Sequence, residues 1–111
     1  MAAKAREARK GQVVMCGYMA PVYFHSMLRG LEQSLIDPLL EPELTREILR
    51  RMCDFFYDHH RRMFEACDGL LDVDQVTDDL GSQTGPIMSL DLYRDFYAPH
   101  HARFINLCHE F

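Results

Sequence analysis

The stretch Gly69-Leu-Leu-Asp-Val-Asp-Gln-Val-Thr-Asp-Asp-Leu-Gly-Ser-Gln-Thr-Gly-Pro86, continued by Ile87-Met-Ser-Leu-Asp-Leu-Tyr-Arg-Asp-Phe-Tyr-Ala-Pro99, decides how this chain is read. Leu70 to Val76 interleaves apolar and β-branched residues with Asp72 and Asp74, the pattern of a strand. Thr77-Asp-Asp-Leu-Gly81 then breaks it with acids and a glycine. Asp78 and Asp79 thereby fall at the carboxyl end of a strand. On α/β scaffolds ligands collect there, because rigid strands hold converging loops.

Working outward, Ser89 is placed to cap a helix with Asp91 in its first turn, and Leu92, Phe96 and Tyr97 face inward. Ala98-Pro99 interrupts that helix, since a residue before proline avoids helical geometry. A further helix carries Phe104, Ile105, Leu107 and Cys108 toward Phe111. Upstream, Pro42 to Cys67 is the clearest helix: Pro42 suits its first turn, Glu43 and Glu47 suit its amino end, and Leu44, Ile48, Met52, Phe55 and Met63 recur at helical spacing. Asp37 to Pro42 reads as a turn or a restarted helical turn, because Pro38 lacks an amide. Val22 to Leu28 begins a helix that continues, after a break at Gly30, through Leu31, Leu35 and Ile36. Gln12 to Tyr18 is a short apolar run without strict alternation, the pattern of a parallel strand buried on both faces. Ala2 to Lys10 is a short exposed helix stopped by Gly11.

A strand after the long helix implies a crossover parallel to the first strand. On Leu70–Val76, Leu71, Val73 and Gln75 share one face and Asp72, Asp74 and Val76 the other. We expect Leu71 and Val73 to meet the helices and the aspartates to face the opposite side, a barrel interior.

The segment Val76 to Pro99 resembles a signature of the uroporphyrinogen decarboxylase-like superfamily, which includes corrinoid- and cobalamin-linked methyltransferases. The resemblance extends back through Gly30-Leu-Glu32 and Glu41-Pro-Glu-Leu44, which look like that family's Gly-Phe-Glu and Asn-Pro-Glu-Leu landmarks, and so covers nearly all of the chain. It implies an α/β fold: a helix-rich, partial (β/α)8 TIM barrel with about two parallel strands, residues 1–111 forming one partial domain from the middle of the barrel. A full barrel takes about 250 residues, so 111 cover three to four βα units. The implied activity is that of a decarboxylase or a corrinoid-linked methyltransferase acting on a tetrapyrrole or a methylated small molecule. By this resemblance Asp78 and Asp79 are the catalytic candidates, and Tyr18, Asp74 and Gln83 the substrate-binding ones.

The chain also departs from the family. The arginine-rich segment and the essential early-strand aspartate of the decarboxylases have no counterpart here. Alignment on Gly30 places Ser26 where their substrate-contacting tyrosine stands, with Tyr23 close by. The His-x-Cys pair of the zinc-dependent methyltransferases does not occur. The isolated chain is therefore expected to be inactive, its open barrel edges closed by another copy or by a complementing chain. The alternative is a non-enzymatic α/β module that self-associates or docks through those edges.

Several chemical readings have plainer rivals. Asp72, Asp74, Asp78 and Asp79 could raise one another's pKa and keep one carboxyl protonated for proton delivery. Alternatively, Asp78 and Asp79 hold the loop by accepting backbone amides. Replacement of both by Asn separates the two: harmless for a ligand site, destabilising for an anchor. His59-His60 and His100-His101 cannot each share one ion, because helix neighbours point about 100° apart; we expect solvated helix surface, and no metal. Gly81-Ser-Gln-Thr-Gly85 lacks the lysine of a phosphate loop and reads as a tight turn. Phe55, Phe56 and Phe64 read as core. No cofactor is expected.

A formal net charge of −5 and the absence of a basic face beyond the first ten residues argue against nucleic acid. Cys16, Cys53, Cys67 and Cys108 are scattered without a Cys-x-x-Cys pair, which fits reduced, mostly buried thiols and a cytoplasmic location. Lys4 to Lys10 before the apolar run Val13–Phe24 resembles a leader only loosely, because Gly17 and Pro21 interrupt the run and no small-residue cleavage site follows. No stretch is long enough for a membrane span.

Overall fold

A computed structural model describes residues 1–111. The chain runs α1 (Ala2–Ala8), β1 (Met15–Met19), α2 (Pro21–Arg29), α3 (Leu31–Leu40), α4 (Pro42–Cys67), β2 (Val73–Val76), α5 (Leu90–Phe96) and α6 (Ala98–His109). It is helix-rich with a single parallel sheet of two strands, order β1-β2. No helix is long and apolar enough to cross a membrane.

Both expected strands exist and pair in parallel, each shorter at its start than the apolar runs suggested. Met15 faces Val73, Cys16 faces Asp74, and Met19 faces Val76, with an irregularity between Cys16 and Met19. Gly17 lies in that irregularity at φ +78°, and a Cβ there would stand 1.5 Å from Asp74 Oδ1. Only glycine accepts both the left-handed backbone and the carboxylate. The irregularity also turns Met19 onto the helix side, where it is fully buried with Leu49, Met52, Cys53, Phe96, Tyr97 and Phe104.

The facing expected for β2 is reversed over its final residues. Leu71, just before the strand, does pack beside the Met63, Phe64 and Leu107 cluster. Val73, however, is 45% exposed and Gln75 is exposed, whereas Asp74 and Val76 lie on the helix side. Val76 packs there because Met19 opposite is buried, and the two-residue period carries Asp74 to the same face. The helices cover one face of the sheet and leave the other bare.

The long helix α4 has the expected bounds but a different inward face. Thr45, Leu49, Met52, Cys53, His60, Met63, Phe64 and Cys67 are its buried residues. Phe55 is 69% exposed and Leu44 is 44% exposed, so the stripe is rotated from the one read through them, and Phe55 is not core. Asp68 at φ 44° and Gly69 at φ 69° end the helix in left-handed geometry, a common stop.

Asp37 to Pro42 is not a turn. α3 continues through Pro38 to Leu40, and only Glu41 separates it from α4. The ring of Pro38 is buried, and Asp37 beside it is held by Arg29 Nε at 2.6 Å and by Gln33. Tertiary burial here outweighs the missing amide. The break at Gly30 and the Ser89 cap (Leu92 N–H to Oγ, 3.2 Å) fall as expected, whereas the interruption expected at Ala98-Pro99 falls one residue earlier, at Tyr97, with Ala98 and Pro99 opening α6 in helical geometry.

Candidate functional site

The polar centre of the molecule is Asp78, just beyond β2. Its Oδ2 accepts the Val22 amide and its Oδ1 the Tyr23 amide, each at 2.9 Å. These are first-turn amides of α2, whose own N-cap, Ala20, has no side chain able to accept them. Asp78 therefore caps α2 from across the chain, and its charge complements the positive end of the helix dipole. His101 Nε2 also reaches Asp78 Oδ2 at 2.9 Å, with the aspartate side chain 1% exposed. His101 Nδ1 faces the Tyr93 hydroxyl at 3.2 Å. The result is a chain Asp78–His101–Tyr93 joining α2, the loop after β2, α5 and α6.

A second buried pair lies nearby. His25 Nδ1 and the Tyr97 hydroxyl are 2.9 Å apart, both residues almost wholly buried, and His25 Nε2 has no partner. Burial lowers the His25 pKa, and Arg29 lowers it further against the opposing pull of Asp37. Burial, then Asp78 and Asp37, push the Tyr97 phenol up. His25 is thereby held neutral and Tyr97 protonated.

The other acids are engaged separately. Asp72 accepts the Val14 amide at 2.9 Å and pairs with Arg9 at 3.4 Å. Asp74 Oδ2 accepts from the Cys108 thiol at 3.2 Å, while its Oδ1 is buried against Gly17 without a partner. Asp79 is exposed and accepts the Gly81 amide at 3.4 Å. Each of Asp72, Asp74, Asp78 and Asp79 thus has its own partner; of the two readings open from the sequence, acceptance of backbone amides is the one the contacts of Asp78 and Asp79 match, although Asp78 holds the start of α2 rather than its own loop.

Tyr18, 43% exposed, packs edge-on against Tyr23 and Phe24. Gln83 is exposed in the tight turn closed by the Ser82 amide donating to Gly85 O at 2.7 Å. Asp74 lines a cavity of about 150 Å³ with Phe64, Gly69, Leu71, Asp72, Val73, Cys108 and Phe111; Tyr18, Asp78, Asp79 and Gln83 do not. The anticipated site residues are not gathered into one pocket within this chain.

All four cysteines are unpaired, Cys53 and Cys67 buried. Burial and Asp74 push the Cys16 thiol up to about 11. Burial and the bond to Asp74 push Cys108 up to about 12. Both stay protonated near neutral pH, which suits packing rather than nucleophilic or metal-binding chemistry. No group of three or more His, Cys, Asp or Glu is placed to hold a metal ion.

Sequence reasoning missed His101, Tyr93, His25 and Tyr97. His60 and His101, expected on solvated surface, are 2% and 9% exposed. One histidine of each adjacent pair faces inward because helix neighbours diverge by about 100°. The uncapped Ala20-Pro21 start of α2 was the available signal that a distant acid must cap it. Family models, curated proteins and solved structures were all compared with the chain, and none matches.

Proposed function

We propose that this chain is one portion of a larger parallel α/β sheet and works by docking its bare sheet surface against further strands, supplied by a second copy or by a complementing chain. The uncovered face of β1 and β2 carries this reading. Met15, Tyr18 and Val73 are 53%, 43% and 45% exposed. Parallel strands ordinarily depend on cover from both faces. Two strands alone have little independent stability, and their outer edges present unpaired amides and carbonyls. The shape agrees with an open unit: the radius of gyration is 16.0 Å, against about 13 Å for a compact domain of roughly this length.

In the version suggested by the resemblance, the completed sheet is a (β/α)8 barrel of the uroporphyrinogen decarboxylase-like superfamily, a decarboxylase or corrinoid-linked methyltransferase for a tetrapyrrole or methylated small molecule. Parallel strands joined through helices, and an acid hub at the carboxyl end of β2, support it. Asp78, with its oxygens occupied, then acts by positioning α2 and His101, while exposed Asp79, Gln83 and Tyr18 remain free to meet a substrate. The chain alone is inactive.

Sedimentation at low micromolar concentration tests the docking. Self-association is expected for the wild type, and Val73→Lys, which places a charge on the bare face, should give a folded monomer. If the wild type is monomeric and adding strand-complementing chains changes nothing, the docking reading falls.

A further inference from the structure

α3 inverts the ordinary rule for a surface helix, which buries its apolar stripe and turns its polar side to water. Its buried residues are Ser34, Asp37 and Pro38. Ser34 Oγ donates back to Leu31 O at 2.8 Å, and Asp37 depends on Arg29, at 2.6 Å, and on Gln33 to replace the hydration it loses. Leu31, Leu39 and Leu40 are meanwhile 62%, 72% and 71% exposed, with Leu35 and Ile36 half-buried. Helical spacing makes these five one surface: Leu31, Leu35 and Leu39 form a row at intervals of four, Ile36 and Leu40 belong to the next row, and Ile36 neighbours Leu39 three residues on. A helix that packed only on its own chain would turn this side inward and leave Ser34 and Asp37 to water.

The free charges around the leucines are of one sign. From Met27 to Leu44 the chain has a single cation, Arg29, and it is committed to Asp37. Glu32 heads the row of Ile36 and Leu40, and Glu41 and Glu43 follow the last leucine. All three are exposed and none forms an ion pair, whereas Arg46, Arg50 and Arg51 farther along α4 are paired with Asp95 and Glu47. Both ends of the apolar surface are therefore acidic and uncompensated.

We infer that the outer face of α3 docks a basic amphipathic helix of a partner protein, its apolar side chains against the leucine rows and its lysines or arginines over Glu32, Glu41 and Glu43. A second copy is disfavoured, since a two-fold pairing of α3 brings acids against acids in either orientation. An anionic membrane surface is repelled by the same charges. The face is ten residues long, about 15 Å. Its few side chains fall short of the ~800 Å² per partner buried between two folded proteins and match a single helix with anchors at helical spacing. None of these residues belongs to β1 or β2, so the inference does not rest on the docking of the sheet.

Fluorescence anisotropy of two labelled peptides of about 14 residues, four helical turns, tests this in the intact chain. Both carry leucines on one helical face; lysines fill the rest of one and glutamates the rest of the other. The lysine peptide should bind roughly tenfold more tightly at low salt, and the preference should shrink in about 1 M salt. Leu31→Gln/Leu39→Gln, at exposed positions where the melting temperature should not fall, should weaken the lysine peptide by roughly tenfold or more, and Glu32→Lys/Glu43→Lys should reverse the preference. Equal affinity for the two peptides, or undiminished binding to the leucine variant, would overturn the inference. So would a loss of self-association in sedimentation when Leu31 and Leu39 are changed, which assigns the face to a second copy, or binding to phosphatidylcholine vesicles that the same change removes, which assigns it to a membrane.

Discussion

Asp78 and Asp79 are neighbours with opposite surroundings, and substitution should separate them. Asn at position 78 keeps the shape but removes the charge at the start of α2, and it offers an amide group to three donors: Val22 N–H, Tyr23 N–H and His101 Nε2. Loss of charge-assisted bonds at so buried a side chain should cost roughly 1–3 kcal/mol. Asp79→Asn, exposed with one long bond to Gly81, should stay within about 0.5 kcal/mol. Thermal melts of the two single variants check this, and equal melting temperatures would return Asp78 to the role of a free acid. His25 predicts a pH dependence. Its folded pKa lies below the 6.5 of an ordinary histidine, so the unfolded chain binds more protons in the window below that value. The stability it contributes is complete above 6.5 and is lost as pH falls from there toward the folded pKa. His100, lowered by burial and Arg103, adds in the same direction. His25→Gln should therefore flatten the fall in melting temperature between about pH 6.5 and 5 without removing it; an unchanged slope would assign the whole effect to other groups.

At the scale of elements, α4 shows how a helix can be legible in extent and misread in phase. Pro42, Glu43 and the absence of an internal breaker define its length. Its composition includes apolar residues on more than one side, Leu44 and Phe55 among them, so periodicity alone offers two stripes. The choice falls to the stripe that meets Met19, Phe96, Tyr97 and Phe104, which passes through Leu49, Met52 and Cys53. Leu49→Ala should cost roughly 2–5 kcal/mol through the cavity it leaves. Phe55→Ala, at an exposed position, should change stability by about 0.5 kcal/mol or less in this chain. Chemical denaturation of both variants checks the phase, and a large loss at Phe55 would reverse it. In α3, Pro38 persists inside a helix because the surrounding burial and the Arg29–Asp37–Gln33 bonds hold the turn that its missing amide weakens.

The whole molecule is an open assembly, 49 × 30 × 22 Å, with 22 of 111 residues buried. Its core lies between α4 and the α5–α6 pair under one face of the sheet. Exposed Met15, Tyr18 and Val73 on the other face, with Met27, Leu28, Leu31, Leu39 and Leu40 on α2 and α3, leave much apolar surface in water, a situation associated with interaction surfaces. If the bare face docks, amide exchange in Met15–Met19 and Val73–Val76 should slow as protein concentration rises, while α4 exchange stays constant. Exchange in the strands that is independent of concentration would mean that the sheet stands alone.

The order of elements, the parallel pairing of two strands across a long helix, the Gly30 break, the Ser89 cap and the bounds of α4 were determined by the sequence itself, because each depends on local chemistry: period, proline geometry, capping and loop length. Which face of β2 turns inward, which histidine of each pair is buried, and what Asp78 holds were decided only by tertiary structure. Gly17 and the irregularity beside it set the facing of the strands. Helix rotation against the Met19 cluster selected the inward stripe of α4. The amides of Val22 and Tyr23 lie more than fifty residues from Asp78 in the chain. A local pattern carries no information about a partner that distant, and the fold supplies it by bringing the uncapped start of α2 against the end of β2.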